Sequence, residues 1–294
     1  MANLKQLRLR IRTAKNIQQI TRAMKLVAAA RLRKANEKAI EARPYSERLQ
    51  DLVFSLVHSL EKSSSEGYDH PLLGTHLSRK SKDYGLVLIT SDRGLAGSYN
   101  TSLIRKASEF ISQQEGTPHL FCIGKKGAQF FSKRGYEVVY ESSLASAGVQ
   151  FKDALELTRI SQEVVKSKGL GSIFIAYSKF HSPIRQEPQI VQLLPIRLPK
   201  GHIHSEESRC YLFEPNPKQI LEMILPRYLL TLVYQTLLES NASEHGARMT
   251  AMTSATDNAK KVIDHLTLIA NRERQAGITK EILEVVSGAQ ALAQ

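Results

Sequence analysis

The chain is short of helix breakers at both ends. Met1 to Glu66 contains no glycine and only one proline, Pro44. From Arg227 to Gln294 there is no proline, and glycine occurs only at Gly246, Gly277 and Gly288. Cysteine is nearly absent, with Cys122 and Cys210 the only two. That excludes a disulfide framework, and without CxxC spacing it argues against a zinc site. Cys122 lies in an apolar run and is expected to be a buried thiol in a reducing compartment. Long hydrophobic runs are missing as well. The most apolar stretch, 220–238, is interrupted by Glu222, Pro226 and Arg227, so no segment is expected to span a bilayer. The basic start lacks the continuous apolar core of a secretory signal, and its pattern runs on into a helix.

What is present is helical periodicity of unusual length. Apolar or small residues fall at Leu4, Leu7, Ile11 and Ala14, then at Ala28, Leu32, Ala35, Ala39 and Ala42, then at Leu49, Val53, Leu56 and Leu60. They keep one heptad register. In its middle the register meets Gln18, Thr21 and Lys25, and Ile17, Ile20, Met24 and Val27 move to the adjacent face, so the seam there is expected to be interrupted or rotated. At ~1.5 Å per residue such a helix would be roughly 85 Å long. At the other end Met252, Ala255, Ala259, Val262, Leu266 and Ile269 keep the same spacing. Beyond Gln275 the apolar set restarts out of phase at Ile278, Ile282, Val285, Ala289 and Leu292. A globular helix averages about 11–12 residues, and a much longer one cannot bury its stripe against a small domain. The two ends are therefore expected to pair as an antiparallel coiled coil, with apolar residues left over for a further partner. Pro226, inside the second segment, should kink or break it.

The middle alternates short β-rich runs at 84–90, 119–123, 137–140, 172–177 and 189–196 with helical patterns at 101–114, 125–133 and 151–168. The expected fold class is α/β: a Rossmann-like central domain with a mostly parallel sheet, carried on the coiled coil. The expected organisation is an N-terminal coiled-coil helix at 1–60, a linker at 61–80, the α/β domain at 81–200, a return linker at 201–216 and a C-terminal helix at 217–294.

The net charge of +13 is unevenly spread. Residues 1–43 hold twelve Lys/Arg against Glu37 and Glu41, a net of +10, whereas 227–294 is balanced. The first helix should therefore meet a negative partner: nucleic acid, anionic lipid or an acidic protein surface. Catalytic motifs are missing. Thr90 to Gly97 follows the first strand, where α/β sheets place ligands, but it keeps only Gly94-x-x-Gly97 and reads as a turn or protein-contact loop. Gly124-Lys125-Lys126-Gly127 fails as a phosphate loop, having His119 for the upstream glycine and Lys126 for the Ser/Thr. His202 and His204 with Glu206 and Glu207 read as an exposed loop, not a metal site. No catalytic, cofactor-binding or metal-ligating residue is assigned, and no cofactor is expected.

Several stretches together carry a family resemblance. Residues Ile11 to Ala29 (IRTAKNIQQITRAMKLVAA), Arg43-Pro44-Tyr45, Ser91-Asp92-Arg93-Gly94-Leu95, Ala242 to Met249 (ASEHGARM) and Ile278 to Ala289 (ITKEILEVVSGA) resemble the gamma subunit of F-type ATP synthases, bacterial type. The resemblance covers nearly the whole chain. It implies a non-catalytic rotor shaft turning inside a ring of alpha and beta subunits. The α/β foot would rest with the epsilon subunit on the membrane ring of c subunits, at the cytoplasmic face of the bacterial inner membrane.

Residue by residue it implies that Met24 and Lys25 lie near beta-subunit loops, that Arg248, Arg274 and Gln275 make polar contacts there, and that Thr279, Glu281 and Glu284 tune coupling. Ser91, Asp92, Arg93, Gly94, Glu206, Glu207, Arg209 and Tyr211 would belong to the foot and its contacts with the c-ring and epsilon. The loop departs from the family in having Ala96, Ser98 and Tyr99 where cysteine and a Gly-aromatic pair are frequent, which removes any redox role there. No chloroplast-type regulatory insertion is visible. The competing reading is a basic coiled-coil protein that binds nucleic acid, with a steep salt dependence. An α/β enzyme with helical extensions is a third, unsupported by any motif.

Overall fold

The structure, a computed structural model, describes residues 4–63, 72–73, 81–144, 148–196, 213–214 and 216–292. Glu206, Glu207, Arg209, Tyr211, His202, His204 and Cys210 lie outside the described residues. The elements run α1 (Leu4–Ser63), β1 (Tyr84–Ile89), α2 (Tyr99–Gln113), β2 (Pro118–Ile123), α3 (Lys125–Ser132), β3 (Val138–Ser142), α4 (Phe151–Lys168), β4 (Ser172–Phe180), β5 (Gln186–Leu194) and α5 (Pro217–Leu292). The terminal helices are 60 and 76 residues long. The chain divides into two compact units, Met1–Ala28 with Met249–Gln294, and Ala29–Arg248.

In the larger unit a five-stranded sheet has the order β3-β2-β1-β4-β5. All pairs are parallel except β4 with β5. Every residue of β1 is buried, as expected of a parallel strand covered on both faces. The pleat divides its side chains by alternation. Val87 and Ile89, with Phe121, Ile123, Ile173 and Ile175, join the core formed with α1, α4 and α5. Tyr84, Leu86 and Leu88, with Leu120 and Cys122, join the core under α2 and α3. Cys122 is fully buried, and burial pushes its thiol up to about 12, so it is inert. Helix α4 starts in a capping box between Gln150 and Asp153 and ends at Gly169, whose φ of 62° suits a left-handed cap.

The terminal helices run antiparallel. Within the larger unit the charge of Arg31 acts on Glu244 and His245, whereas that of Glu41, farther along α1, acts on Tyr234, earlier along α5. Leu32, Ala35, Ala39, Leu49, Val53 and Leu56 are buried as the heptad register predicts. Pro226 does not break α5. It is exposed, while Leu225, Tyr228 and Leu229 around it are buried, so packing of the inner face outweighs one missing backbone donor.

In the smaller unit the seam does not rotate. Leu7, Ala14, Thr21 and Ala28 are buried in one register, while Ile17, Ile20 and Val27 are 49–60% exposed. Between Ala14 and Ala28 polar Thr21 thus keeps an inner position, with Gln18 and Lys25 half-buried, while Ile17, Ile20 and Val27 face outward. On α5 the register holds at Met252 and Ala259, both buried. Leu266 and Ile269 are half-buried as expected, but at one position the pattern differs: Val262 is exposed and Ile263 is half-buried instead. Side-chain class could not separate these adjacent β-branched residues.

Candidate functional site

Two stretches of α5 carry the features that could do something. The first, in the larger unit, meets the loop after β1. That loop is held by its own polar groups. The Thr90 hydroxyl donates towards the Gly124 carbonyl at 3.1 Å and accepts the Gly127 amide at 2.9 Å. A Cβ at Gly124, whose φ is 98°, would stand 2.1 Å from the Thr90 carbonyl oxygen, so the strand ends approach too closely for a phosphate to lie between them. Ser91 is 1% exposed; its amide donates to Asn100 Oδ1 at 3.0 Å and its hydroxyl to the Arg93 carbonyl at 2.6 Å. Asp92 Oδ1 accepts the Lys125 amide at 3.1 Å, capping α3. Arg93, Gly94 and Leu95 form the exposed tip. Leu95 holds a φ of 62° with its side chain 62% exposed. A branched residue in the left-handed region is costly, and nothing in the sequence pattern singled it out.

Behind that tip the loop engages α5. The Tyr99 hydroxyl lies 2.7 Å from Ser240 Oγ and 3.3 Å from the Ile89 carbonyl oxygen, all buried. Ser243 Oγ donates to the Ser178 carbonyl on β4 at 2.8 Å. Ala247 packs with Ala96 and Tyr99. A Cβ at Gly246 would lie 3.3 Å from Phe180 and 3.4 Å from Pro183 in the β4–β5 hairpin. The Glu244 carboxylate and Arg248 Nη2 are 2.7 Å apart, with side chains only 16% and 12% exposed. Burial raises the Glu244 pKa, offset by the Arg248 charge. Burial, and then the Arg248 and Arg31 charges, lower His245 to about 4. Arg248 Nη1 stands 3.2 Å from His245 Nδ1, which as a neutral acceptor would leave its proton on Nε2. Arg248 is therefore engaged within the chain. The polar residues of the ASEHGARM stretch are legible in sequence; Tyr99 and Ser240, far apart along the chain, are not.

The second stretch lies in the smaller unit. Thr256 donates to Thr21 Oγ1 at 2.8 Å, and Thr21 is itself 3.1 Å from the Gln18 carbonyl. Beside this pair Gln18, Gln19, Arg22, Lys25, Thr256, Asp257 and Lys260 line a polar cavity of about 380 Å³. Lys25, in that lining, and its chain neighbour Met24 are half-buried. Counting back from Thr21 to Leu4, and forward by as many residues from Thr256, reaches Glu273. That is the last half-buried residue of α5; every residue from Arg274 to Ala289 is exposed. Ile278, Ile282, Leu283, Val285 and Val286 are 48–72% exposed. Arg274, Gln275, Thr279, Glu281 and Glu284 all fall on this bare tail. Thr279 donates back to the Gln275 carbonyl at 3.0 Å, and Lys280 pairs with Glu284 at 3.6 Å. Among the described residues no cluster suits a metal ion, and no helix is long and apolar enough to cross a membrane.

Comparison with known proteins bears on this arrangement. The family described as ATP synthase matches residues 3–292. The chain is 43% identical over 298 residues to the ATP synthase gamma chain of Heliobacterium modesticaldum, covering 99% of this chain and 100% of that one. It is 44% identical over 295 residues to the gamma chain of Desulfitobacterium hafniense, with the same coverage. Among solved structures, a chain of the central stalk and c-ring of the Tetrahymena thermophila mitochondrial ATP synthase matches with a TM-score of 0.57 and 25% identity. That match covers 80% of this chain and 99% of that one. A chain of the Euglena gracilis mitochondrial enzyme shares the fold at a TM-score of 0.67 and 19% identity, covering 98% and 94%.

Proposed function

The chain belongs to the ATP synthase family, alongside gamma chains that match it end to end, and from that premise we propose that it is the central rotor shaft of an F-type ATP synthase. It transmits rotation between the membrane c-ring and the catalytic ring of alpha and beta subunits, coupling proton flow to ATP synthesis or hydrolysis. The observation that carries the reading is the bare tail of α5. A helix that exposes every residue from Arg274 to Ala289, five large apolar ones among them, calls for an enclosing partner, and the likeness to gamma chains supports the ring of alpha and beta subunits in that role. The outward Ile17, Ile20 and Val27 point the same way.

The chain itself performs no chemistry; it makes neighbouring beta subunits unequal. A shaft biases a subunit only through contacts that differ between its states, and the tail offers different chemistry on each face. Arg274, Gln275, Thr279, Glu281 and Glu284 are the contacts we assign to beta-subunit loops, with Met24 and Lys25 nearer the polar cavity. Arg248, also assigned to a beta-subunit loop, would reach it by leaving Glu244, 2.7 Å away. At the foot, Arg93 and Gly94 form the surface offered to epsilon and the c-ring, and Ser91 and Asp92 hold it in shape. The complex sits peripherally on the cytoplasmic face of the bacterial inner membrane. The nucleic-acid alternative is dropped, since the family match spans the chain.

Mixing the purified chain with alpha and beta subunits tests the reading. The chain alone should hydrolyse no ATP, and the mixture should yield an isolable complex with restored turnover. Failure to assemble would overturn it.

A further inference from the structure

A helix seated in an apolar socket resists being pulled out far better than it resists being turned about its own axis. The hydrophobic contribution scales with buried area and has no direction, whereas hydrogen bonds weaken steeply once misaligned. A helix that must transmit torque therefore needs directional keys in addition to a core. Along α5, Leu221, Leu225, Leu229, Val233 and Leu237 supply the core. One to three turns farther on, the side chains become small and the contacts become directional.

We propose that Tyr99, Ser240, Ser243 and Gly246 form a torque key that stops α5 from turning in the α/β body; this rests on the rotor reading above. The contacts come from two different parts of the sheet. From the loop side, the Tyr99 hydroxyl bridges Ser240 Oγ at 2.7 Å and the Ile89 carbonyl at the end of β1. From the other, Ser243 donates to the β4 carbonyl of Ser178 at 2.8 Å. Gly246 lets Phe180 and Pro183 of the hairpin close against the helix, where any Cβ would stand within 3.3 Å of the Phe180 ring. Rotation in either sense breaks a buried hydrogen bond on one side or drives the helix into the hairpin on the other. Ser240 and Ser243 are 0% exposed, so water cannot replace a lost partner. These are positioning residues: they act through the hold of the α/β body on the helix.

The test uses the whole enzyme in sealed membrane vesicles, comparing the unsubstituted chain with Tyr99→Phe/Ser243→Ala and, separately, Gly246→Leu. Protons pumped per ATP hydrolysed are measured against an increasing opposing proton gradient, with hydrolysis by the soluble complex measured in parallel. The key predicts that hydrolysis is retained while the pumping ratio falls, and falls more steeply as the gradient grows, because slippage follows load. A merely structural role would lower assembly or hydrolysis at every gradient alike. If the Tyr99→Phe/Ser243→Ala enzyme assembles and keeps the unsubstituted ratio up to the highest gradient, the key is overturned even if Gly246→Leu fails to fold. An unsubstituted chain that forms no coupled enzyme overturns the rotor reading and the key together.

Discussion

One helix, α5, has two very different stretches. From Leu221 to Ala247 it is dense with fully buried residues and with hydrogen bonds to partners up to 141 positions away in sequence. From Arg274 to Ala289 every residue is exposed, isoleucine, leucine and valine among them. Backbone conformation is the same in both. The difference shows that helical continuity and burial are independent variables here. The first stretch is packed against its own chain, and the second presents the surface that the rotor proposal assigns to beta-subunit loops.

The largest effect that could break this contrast is a cavity. Leu237→Ala, at a site 1% exposed, should destabilise the isolated chain by about 2–5 kcal/mol. Ile282→Ala on the bare tail should change it by less than about 0.5 kcal/mol. Denaturant titration of both would refute the contrast if the two losses were equal.

Next comes pH. His245 is lowered from 6.5 to about 4 by burial and by Arg248 and Arg31. Because the unfolded chain binds this proton first, the stability held above pH 6.5 declines as pH falls towards 4. The loss reaches about 3 kcal/mol once both states are protonated. Glu244, raised by burial, works oppositely above its ordinary value, so the His245 contribution is best read as a difference. Relative to the native chain, His245→Gln should gain stability by up to about that amount between pH 7 and 4. A pH-independent difference would remove His245 from the account.

A smaller effect tests the smaller unit. Thr21→Val and Thr256→Val each leave the other hydroxyl facing an apolar neighbour across their 2.8 Å bond, and each should cost about 1 kcal/mol. The double variant should restore part of that loss, and simple additivity in a double-mutant cycle would deny the interhelical bond. Smallest of all, Glu284→Gln removes a 3.6 Å pair with side chains 78% and 66% exposed. It should shift stability by only about 0.3 kcal/mol, yet alter ATP turnover of the assembled complex. An effect on stability and none on turnover would reverse the role assigned to the tail.

Much of this was legible beforehand. The heptad spacing of α1 predicted its inner face from Leu7 to Leu56, because a seam over many turns leaves little freedom of register. The β-rich runs predicted all five strands to within a few residues. Periodicity failed where two solutions were nearly degenerate. Val262 and Ile263 are alike in chemistry, yet Val262 is exposed and Ile263 half-buried, a choice that spacing alone does not make. Thr21 looked like a break in the seam because it is polar, and it is buried because Thr256 supplies its partner. Pro226 looked like a break in α5, but the core formed by its neighbours was invisible locally.

Local chemistry alone determined the long terminal helices, the α/β middle, the excess positive charge on the first helix and the lack of any catalytic motif, since propensity, charge and alternation act between near neighbours. Tertiary structure alone decided that Tyr99 meets Ser240, that Ser243 meets Ser178, that Gly246 lies under the hairpin, and that the end of α5 lies bare. Each of these depends on which distant residues share a surface, and such contacts leave no period in the chain.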